Sequence, residues 1–439
     1  MPPPHPQDHP PVRPPAEAPP DSGATHDLLP GLASLADELD THLAGADRSL
    51  RDGYPGERAG RQPVHTVYVP ADRYTQSLVS DWGAAALAAL DADADGFRAV
   101  LGGDPDGLEE RVRTKLASEP IEDLRIDFED GYGSRADSEE DVEARAAARA
   151  LRASISTGGA PPFHGIRFKS FEAPTRRRGL RTLALFLGEL ADSGSLPEGC
   201  VVTLPKVTSV EQVEAMVLAA SRLEGMLGLG PGALRFEIQV ETPQAILGPD
   251  GTALVARMVH AASGRCTGLH YGTYDYSASC GVAAQFQSME HPVADHAKAV
   301  MQVAAAGTGV RLSDGSTNVL PVGEPPAVRA GWALHHRLVR RSLERGFYQG
   351  WDLHPAQLPT RFGAVFAFYR DGLAQAADRL RRYVERTESA FLDEPATAKA
   401  LADFILRGVD CGAVGKAEAQ ALCGVDIPGL AAMARRVAG

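Results

Sequence analysis

Eight short segments of this chain have the composition of β-strands, and most of them alternate with segments of helical periodicity. In the strand segments apolar residues either alternate with polar ones or form short runs, and in the helical segments they recur every three or four positions. The strand segments are 64–70, 124–128, 165–169, 201–206, 234–241, 266–272, a part of 308–322, and 348–355. Strands that alternate with helices predict a parallel α/β fold. Eight such units predict a (β/α)8 TIM barrel, which takes about 250 residues plus insertions.

A doubly wound open sheet is the alternative fold for this alternation. It usually carries a Gly-rich phosphate loop early in the chain, and the sequence contains neither G-x-G-x-x-G nor G-x-x-x-x-G-K. The barrel is therefore the preferred prediction.

The composition divides the chain into four predicted regions. Residues 1–25 are rich in Pro and cannot bury a core, so a disordered tail is expected there. Leucines at helical spacing predict a helical segment over 26–60. The barrel is expected to be the catalytic domain and to occupy 61–370, and a helical extension or lid is expected over 371–439.

Charge and cysteine content exclude several classes of protein. The chain has 44 basic and 57 acidic residues and a net charge of -13, which argues against a nucleic-acid or anionic-membrane binder. The five cysteines are widely spread and include no C-x-x-C pair, so neither a disulfide framework nor a zinc site is expected. With no signal peptide or membrane span visible, we expect a cytoplasmic protein.

Charged residues follow the predicted strands, and in a barrel the C-terminal strand ends form the active-site face. An acidic cluster of Asp127, Glu129 and Asp130 follows the second strand, although alone it is equally typical of a solvated turn. Glu241 and Asp275 follow the fifth and sixth strands. Two carboxylates with open positions suit Mg²⁺, with Mn²⁺ as the alternative. The competing interpretation is that each caps the helix that follows it.

Two basic residues at strand ends have two interpretations each. Arg167 after the third strand could clamp a substrate carboxylate with two hydrogen bonds, or form an ion pair with Asp127 or Glu129. Lys206 after the fourth strand is either a ligand group or an ion-pair partner at the barrel mouth.

The remaining polar residues near strands are interpreted structurally. Lys169 is expected to pair with Glu172 or with an acid of residues 127–130. His65 and His270 are expected to be hydrogen-bonded core residues, and His354 is expected to shape the turn after the last strand.

Several of these segments together resemble the superfamily of HpcH/HpaI aldolases, citrate lyase beta subunits and malyl-CoA lyases. The matching motifs occur in the family's order between residues 64 and 408. They are Tyr68-Val69-Pro70, Asp127-Phe128-Glu129-Asp130, Arg167, Leu204-Pro205-Lys206-Val207, Val240-Glu241-Thr242, Tyr271-Gly272 with Asp275, Leu353-His354-Pro355-Ala356-Gln357, and Asp393 with Pro395. Lys169 departs from the family, which usually has Asn at this position.

The resemblance implies a Mg²⁺-dependent carbon–carbon lyase or aldolase. Its substrate would be a 2-keto or hydroxy carboxylic acid, or the CoA thioester of one, and the reaction would pass through an enolate that the metal stabilises. By resemblance, the metal ligands are Glu241 and Asp275, the substrate-binding residues are Arg167, Lys206 and Gly272, and the catalytic residues are Arg167, Asp393, Asp127, Glu129 and Asp130.

The resemblance also implies a homo-oligomer, a trimer or a hexamer. In the malyl-CoA lyase branch, the aspartate that matches Asp393 acts as acid and base from a C-terminal lid over a neighbouring subunit. Two other functions remain open for this chain. One is a malyl-CoA thioesterase or a malate-synthase-like condensing enzyme, and the other is a non-catalytic protein that binds a metal and a 2-keto acid.

Overall fold

The computed structural model of the chain describes residues 28–58, 60–386 and 394–434. The tail predicted over 1–25 and the candidate acid–base residue Asp393 lie outside these ranges. Eight strands occur within them. The strands are β1 (His65–Pro70), β2 (Asp123–Asp127), β3 (Phe163–Arg167), β4 (Val202–Leu204), β5 (Phe236–Val240), β6 (Cys266–Tyr271), β7 (Arg311–Ser313) and β8 (Gly350–Asp352).

All eight strands are parallel and form one sheet that is nearly closed into a barrel. Their order is β7-β6-β5-β4-β3-β2-β1-β8, so each strand from β1 to β7 pairs with its neighbours in sequence and β8 returns to β1. A parallel bridge between Ser313 and Gln349 joins the two ends of the sheet. The predicted (β/α)8 TIM barrel is therefore confirmed, and the open sheet is excluded.

One α-helix precedes β1 in the sequence, and the helices that follow the strands pack around the barrel. In chain order, the described helices are α1 (Leu28–Gly53), α2 (Leu78–Ala92), α3 (Ala94–Val100), α4 (Leu108–Ser118), α5 (Asp137–Ser156), α6 (Arg176–Leu190), α7 (Val210–Leu227), α8 (Pro243–Ile246), α9 (Leu254–Ala261), α10 (Thr273–Ser279), α11 (Pro292–Ala305), α12 (Pro325–Glu344), α13 (Leu358–Glu385), α14 (Pro395–Asp410), α15 (Lys416–Cys423) and α16 (Ile427–Ala434). Within the described ranges, no helix combines the length and the apolar character needed to cross a bilayer.

The chain divides into two compact units, and the first ends at Asp52. Of the first unit the structure describes helix α1. Leu32, Leu35, Leu39 and Leu43 lie at helical spacing on it, and each is about half exposed, between 46% and 53%.

The strands of the second unit alternate between two buried faces. On β5, Phe236, Ile238 and Val240 pack into the hydrophobic core beneath the surrounding helices. The alternating residues Glu237 and Gln239 are equally buried but make hydrogen bonds to side chains of other strands. A barrel encloses its second face, so polar residues in these strands lie inside the barrel and not in solvent.

A buried ionic network fills the interior of the barrel. Arg125 of β2 donates to Glu237 at 3.0 and 2.8 Å and also contacts Asp123. His270 of β6 lies 3.0 Å from the same glutamate. Burial disfavours ionisation of Glu237, but the charge of Arg125 outweighs it and lowers the pKa of this carboxyl. Paired in this way, these side chains join β2, β5 and β6 across the interior of the barrel.

Candidate active site

The C-terminal ends of the strands bring the predicted polar residues to one mouth of the barrel. Asp127 and Arg167 are the last residues of β2 and β3. Glu241 follows β5 directly, and Asp275 lies in the first turn of α10 after β6. Parallel strands end at the same edge, which is why residues so distant in sequence become neighbours here.

Asp127 holds Arg167 in a fixed orientation. The Nε and NH2 groups of Arg167 donate to the two carboxylate oxygens of Asp127, each at 2.7 Å. The backbone N–H groups of Glu129 and Gly131 donate to the same two oxygens at 2.9 Å. Asp127 is therefore saturated with donors, and it acts on the mouth only through the arginine that it positions.

The third nitrogen of Arg167 faces the centre of the mouth. NH1 donates to Oε1 of Gln239 at 3.3 Å and lies 3.5 Å from a carboxylate oxygen of Glu129. The guanidinium also lies over the ring of Tyr68, 4.8 Å from its centroid. Burial disfavours the charge of Arg167, but Asp127 outweighs it and raises the pKa of the guanidinium well above its usual value.

Lys206 lies at the centre of a cluster of carboxylates. Its ammonium is 3.0 Å from Glu129, 2.8 Å from Asp130 and 2.7 Å from Asp275. The backbone of Lys206 has a φ of 50°, in the left-handed region that residues other than glycine rarely adopt. Burial disfavours the ammonium, but Glu241 and the other carboxylates outweigh it and raise the pKa of Lys206. The mouth is therefore a place where several carboxylates hold one cation.

Glu241 is the most deeply buried carboxylate of the mouth, with 2% of its surface exposed. It accepts a hydrogen bond from the backbone N–H of Lys206 at 2.8 Å and another from the side chain of Gln239. Burial raises the pKa of Glu241 to about 8, because the positive charges nearby do not fully compensate for lost hydration. A cation that approached this carboxylate would replace a proton.

Gly272 leaves the space that Glu241 occupies. A Cβ atom at this position would lie 2.5 Å from the Cβ of Glu241 and 2.9 Å from its Oε2, so no other residue fits without moving the carboxylate. This is a close approach that only glycine permits.

Neither metal-ligand candidate caps a helix. Thr242, not Glu241, accepts the capping hydrogen bond of α8, from the backbone of Ala245. Asp275 is the third residue of α10, and its carboxylate binds Lys206. The capping interpretation is thus wrong for both residues, and both carboxylates face the mouth.

The pKa values of the two acids next to Lys206, Glu129 and Asp130, are shifted in opposite directions. Burial raises the pKa of Glu129. Burial acts on Asp130 in the same sense, but the hydrogen bond and charge of Lys206 outweigh it, and the pKa of Asp130 is lowered. Environments that separate the pKa values of neighbouring carboxyls are typical of acid–base sites.

The sequence model of one protein family matches almost the whole chain. The pattern of a domain of unknown function, DUF6986, matches residues 43–438. The chain belongs to the DUF6986 family. No curated protein matches it.

Solved structures that are similar to this DUF6986 protein have low sequence identity to it and TM-scores below 0.5. The citrate lyase beta subunit of M. tuberculosis, complexed with oxaloacetate and magnesium, is 18% identical, with a TM-score of 0.39 over 72% of this chain and 99% of that one. A magnesium and glyoxylate complex of Haloferax volcanii malate synthase is 13% identical, with a TM-score of 0.47 over 87% of this chain and 100% of that one. The function of this chain therefore has to be inferred from the residues at the mouth of its barrel.

Most candidate residues of the DUF6986 protein meet at this mouth. Asp127, Glu129, Asp130, Arg167, Lys206, Glu241, Gly272 and Asp275 all lie there. Asp393 lies outside the described residues, so its proposed role stays a prediction. The interpretation of the acidic cluster as a solvated turn is wrong for Asp127 and Glu129, because both are buried.

The prediction of the partners of Lys169 is also wrong. Its ammonium binds Glu140 of α5 at 2.7 Å and the backbone carbonyls of Phe128 and Gly133, and not Glu172 or a carboxylate of the acidic cluster. Glu140 comes within reach because α5 packs against α6, the helix that follows Lys169 in the chain. Lys169 thus anchors the loop after β2 from behind and does not enter the mouth.

The histidines near the strands have structural roles, with one exception. His65 contacts Asp352 at 2.6 Å and accepts from the backbone of Glu122, and His354 caps the short helix after β8, as expected. His270 binds Glu237 through Nε2, but its Nδ1 is buried and has no partner among the described residues.

Two residues of the mouth, Gln239 and Tyr68, were not among the site residues predicted from the sequence. Gln239 links Arg167 to Glu241, and Tyr68 forms the surface on which Arg167 lies. Gln239 stands two residues before Glu241 on the same strand, so the strand period of two could have placed both on one face.

Proposed function

We propose that this chain is a Mg²⁺-dependent carbon–carbon lyase or aldolase that acts on a 2-keto or hydroxy carboxylic acid or its CoA thioester through an enolate. The observation that carries the proposal is the mouth of the barrel. It combines a buried carboxylate whose pKa is raised, Glu241, a second carboxylate in the helix after the next strand, Asp275, and a guanidinium held with one nitrogen toward the centre, Arg167. The order of motifs along the sequence also supports it.

The donor set at the mouth fits a hard cation. Three carboxylates already surround the ammonium of Lys206, at 2.7 to 3.0 Å. Among the described residues no three or more acidic, His or Cys side chains form a complete metal group. Mg²⁺ does not need one, because it usually takes one or two carboxylates and completes its shell with water and substrate oxygens. Glu241 and Asp275 would hold it.

The residues of this chain have separable roles in such a reaction. When bound, Mg²⁺ would act as a Lewis acid toward the carbonyl oxygen, on which negative charge develops as the carbon–carbon bond breaks. The NH1 group of Arg167 would bind the substrate carboxylate, in place of its long contacts to Glu129 and Gln239.

Cleavage also needs a base for the hydroxyl proton and an acid that returns a proton to the enolate carbon. We assign both roles to Asp393 by resemblance.

Product analysis tests the proposal. The purified chain is incubated with Mg²⁺ and either malyl-CoA alone or acetyl-CoA with glyoxylate, and the products are separated. Cleavage of malyl-CoA to acetyl-CoA and glyoxylate supports the lyase. Release of free malate instead would identify a thioesterase or a condensing enzyme.

Substitutions connect the activity to the mouth. Glu241→Gln and Asp275→Asn should each abolish Mg²⁺-dependent turnover with any substrate of the class, including oxaloacetate. Glu211→Gln, an exposed acid on α7 outside the mouth, is the matched control and should keep full activity. Full activity in either mouth variant with an intact fold would overturn the assignment, and tight binding of pyruvate without turnover would point to a non-catalytic protein.

A further inference from the structure

A second concave site lies at the opposite end of the barrel. A cavity of about 1060 Å³ opens among the residues that begin the strands, with Asp123 of β2, Phe163 of β3 and Thr267 of β6 in its lining. Parallel strands begin at one end of the barrel, so this N-terminal cavity is separated from the acidic mouth by the ionic network of the barrel interior. None of the residues assigned above to catalysis lines it.

The walls of the N-terminal cavity are rigid. Gly199 has a φ of 79°, and a Cβ there would lie 2.0 Å from the carbonyl oxygen of Pro162. The backbone N–H of His164 donates to Gly199 at 3.1 Å, and that of Val201 donates back to His164 at 2.9 Å. The loops before β3 and β4 are therefore locked together, and they form a preformed wall.

Two arginines in the lining of the N-terminal cavity bind backbone carbonyls rather than carboxylates. Arg58 donates to the carbonyl of Cys266 at 3.2 Å, and Arg235 donates to the carbonyl of Gly264 at 3.1 Å. Within ranges 28–58, 60–386 and 394–434, neither guanidinium forms an ion pair, although acids outnumber bases in the chain. Burial and the nearby charge of Arg235 lower the pKa of Arg58, which means that two like charges are held close together.

Two buried histidines in the lining of the cavity have one unpartnered nitrogen each. His164 and His270 are 3% and 2% exposed, and both line the N-terminal cavity. Nδ1 of His164 faces the carbonyl of Pro161 at 3.0 Å and must donate to it, and Nε2 of His270 faces the carboxylate of Glu237. In the neutral ring the other nitrogen of each is then an acceptor, and among the described residues nothing donates to it.

We propose that the N-terminal cavity binds a small oxyanion of the phosphate class. Arg58 and Arg235 supply the positive charge that such an anion needs, and guanidinium groups match the geometry of phosphate oxygens. Phosphate retains a proton more readily near neutral pH than a carboxylate does, so it can also donate a hydrogen bond to an acceptor nitrogen of a histidine in the lining. The site is independent of the proposed lyase chemistry.

Calorimetric titration of the full chain with inorganic phosphate tests this site. The experiment is done in EDTA and at constant ionic strength, so that neither metal nor general screening contributes. We expect saturable binding to the unaltered chain. Arg235→Gln should weaken it severalfold, and the double variant Arg58→Gln/Arg235→Gln should weaken it by about tenfold or more, since each substitution removes a charge-assisted hydrogen bond. Arg257→Gln, an exposed arginine of α9 that does not line the cavity, is the matched control and should bind as the unaltered chain does.

Thermal unfolding gives an independent readout. Phosphate should raise the Tm of the unaltered chain and of the Arg257 variant, and leave that of the double variant unchanged. No saturable binding to the unaltered chain, or equal binding by the double variant, would overturn the proposal. Equal binding by the double variant would instead place the anion elsewhere, for example near Arg167.

Discussion

Replacement of Glu241 by Gln tests whether this carboxyl is as strongly perturbed as its burial implies. Gln has nearly the same shape as a protonated Glu and cannot ionise. In the folded chain the pKa of Glu241 is about 8, compared with 4.5 for an unperturbed glutamate. At a pH between these two pKa values, the carboxyl of Glu241 keeps its proton in the folded chain and releases it in the unfolded chain. In the absence of metal, the unaltered chain should therefore lose stability as the pH rises through this window, whereas the Glu241→Gln variant should not.

The size of the effect follows from the two pKa values. The difference in stability between variant and unaltered chain should grow by about 1.4 kcal/mol per pH unit across this window. Complete passage through it corresponds to about 5 kcal/mol, as an upper limit for a group in a tightly interacting cluster. The sign is fixed, because a raised pKa gives stability that is complete below the unfolded value and lost above the folded one. Any constant offset from repacking around Gln239 cancels in the slope.

Urea unfolding in EDTA at several values between about pH 5 and about pH 8 measures this slope. Glu211→Gln is the control and should show no pH-dependent difference from the unaltered chain. At the upper end of the range, Mg²⁺ should restore stability to the unaltered chain and not to the Glu241 variant, since the metal replaces the proton at this carboxylate. A difference that stays constant over the whole range would show that Glu241 is ionised throughout, and would refute the reasoning.

Three further perturbations have defined outcomes. Gly272→Ala should weaken Mg²⁺ binding about tenfold or more in calorimetry with the fold retained, because the added Cβ would lie 2.5 Å from the Cβ of Glu241. Gly225→Ala is the control, since its added Cβ would contact no other residue, and it should bind Mg²⁺ as the unaltered chain does. Unchanged Mg²⁺ affinity in the Gly272 variant would contradict the geometry. Arg125→Met should lower the free energy of unfolding by about 3–5 kcal/mol in urea, because it removes the arginine whose charge compensates the buried carboxylates Asp123 and Glu237. A loss below about 1 kcal/mol would refute the network. Lys206→Met should lower the Tm in EDTA and make it rise steeply with Mg²⁺, since the carboxylates at the mouth then lack their cation, and a Tm that did not depend on Mg²⁺ would count against the metal site.

Much of this protein could be predicted from local sequence patterns. The period of two in the strands and of three to four in the helices is a property of each segment, so the eight units and the barrel could be predicted before any contact was known. The charged residues at the strand ends could also be assigned to one face, because all strands of such a barrel end on the same side.

The partners of those residues could not be predicted from the sequence. Lys206 binds Asp130, 76 residues away, and Asp275, 69 residues away, and both contacts depend on the path of the loop after β4. The same limit explains the wrong partners expected for Lys169, which reaches a helix that no local pattern places behind it.

The two ends of the barrel show what the sequence determined and what only the tertiary structure decided. The sequence determined which residues are inward, outward or terminal on each strand, because that depends on backbone geometry alone. Closure of the barrel decided that Glu241 is buried beside Gly272 and acquires its raised pKa, and that Arg58 and Arg235 face one cavity. Burial and pairing are properties of several chain segments at once, and they arise only when the strands have closed and the loops have taken their places.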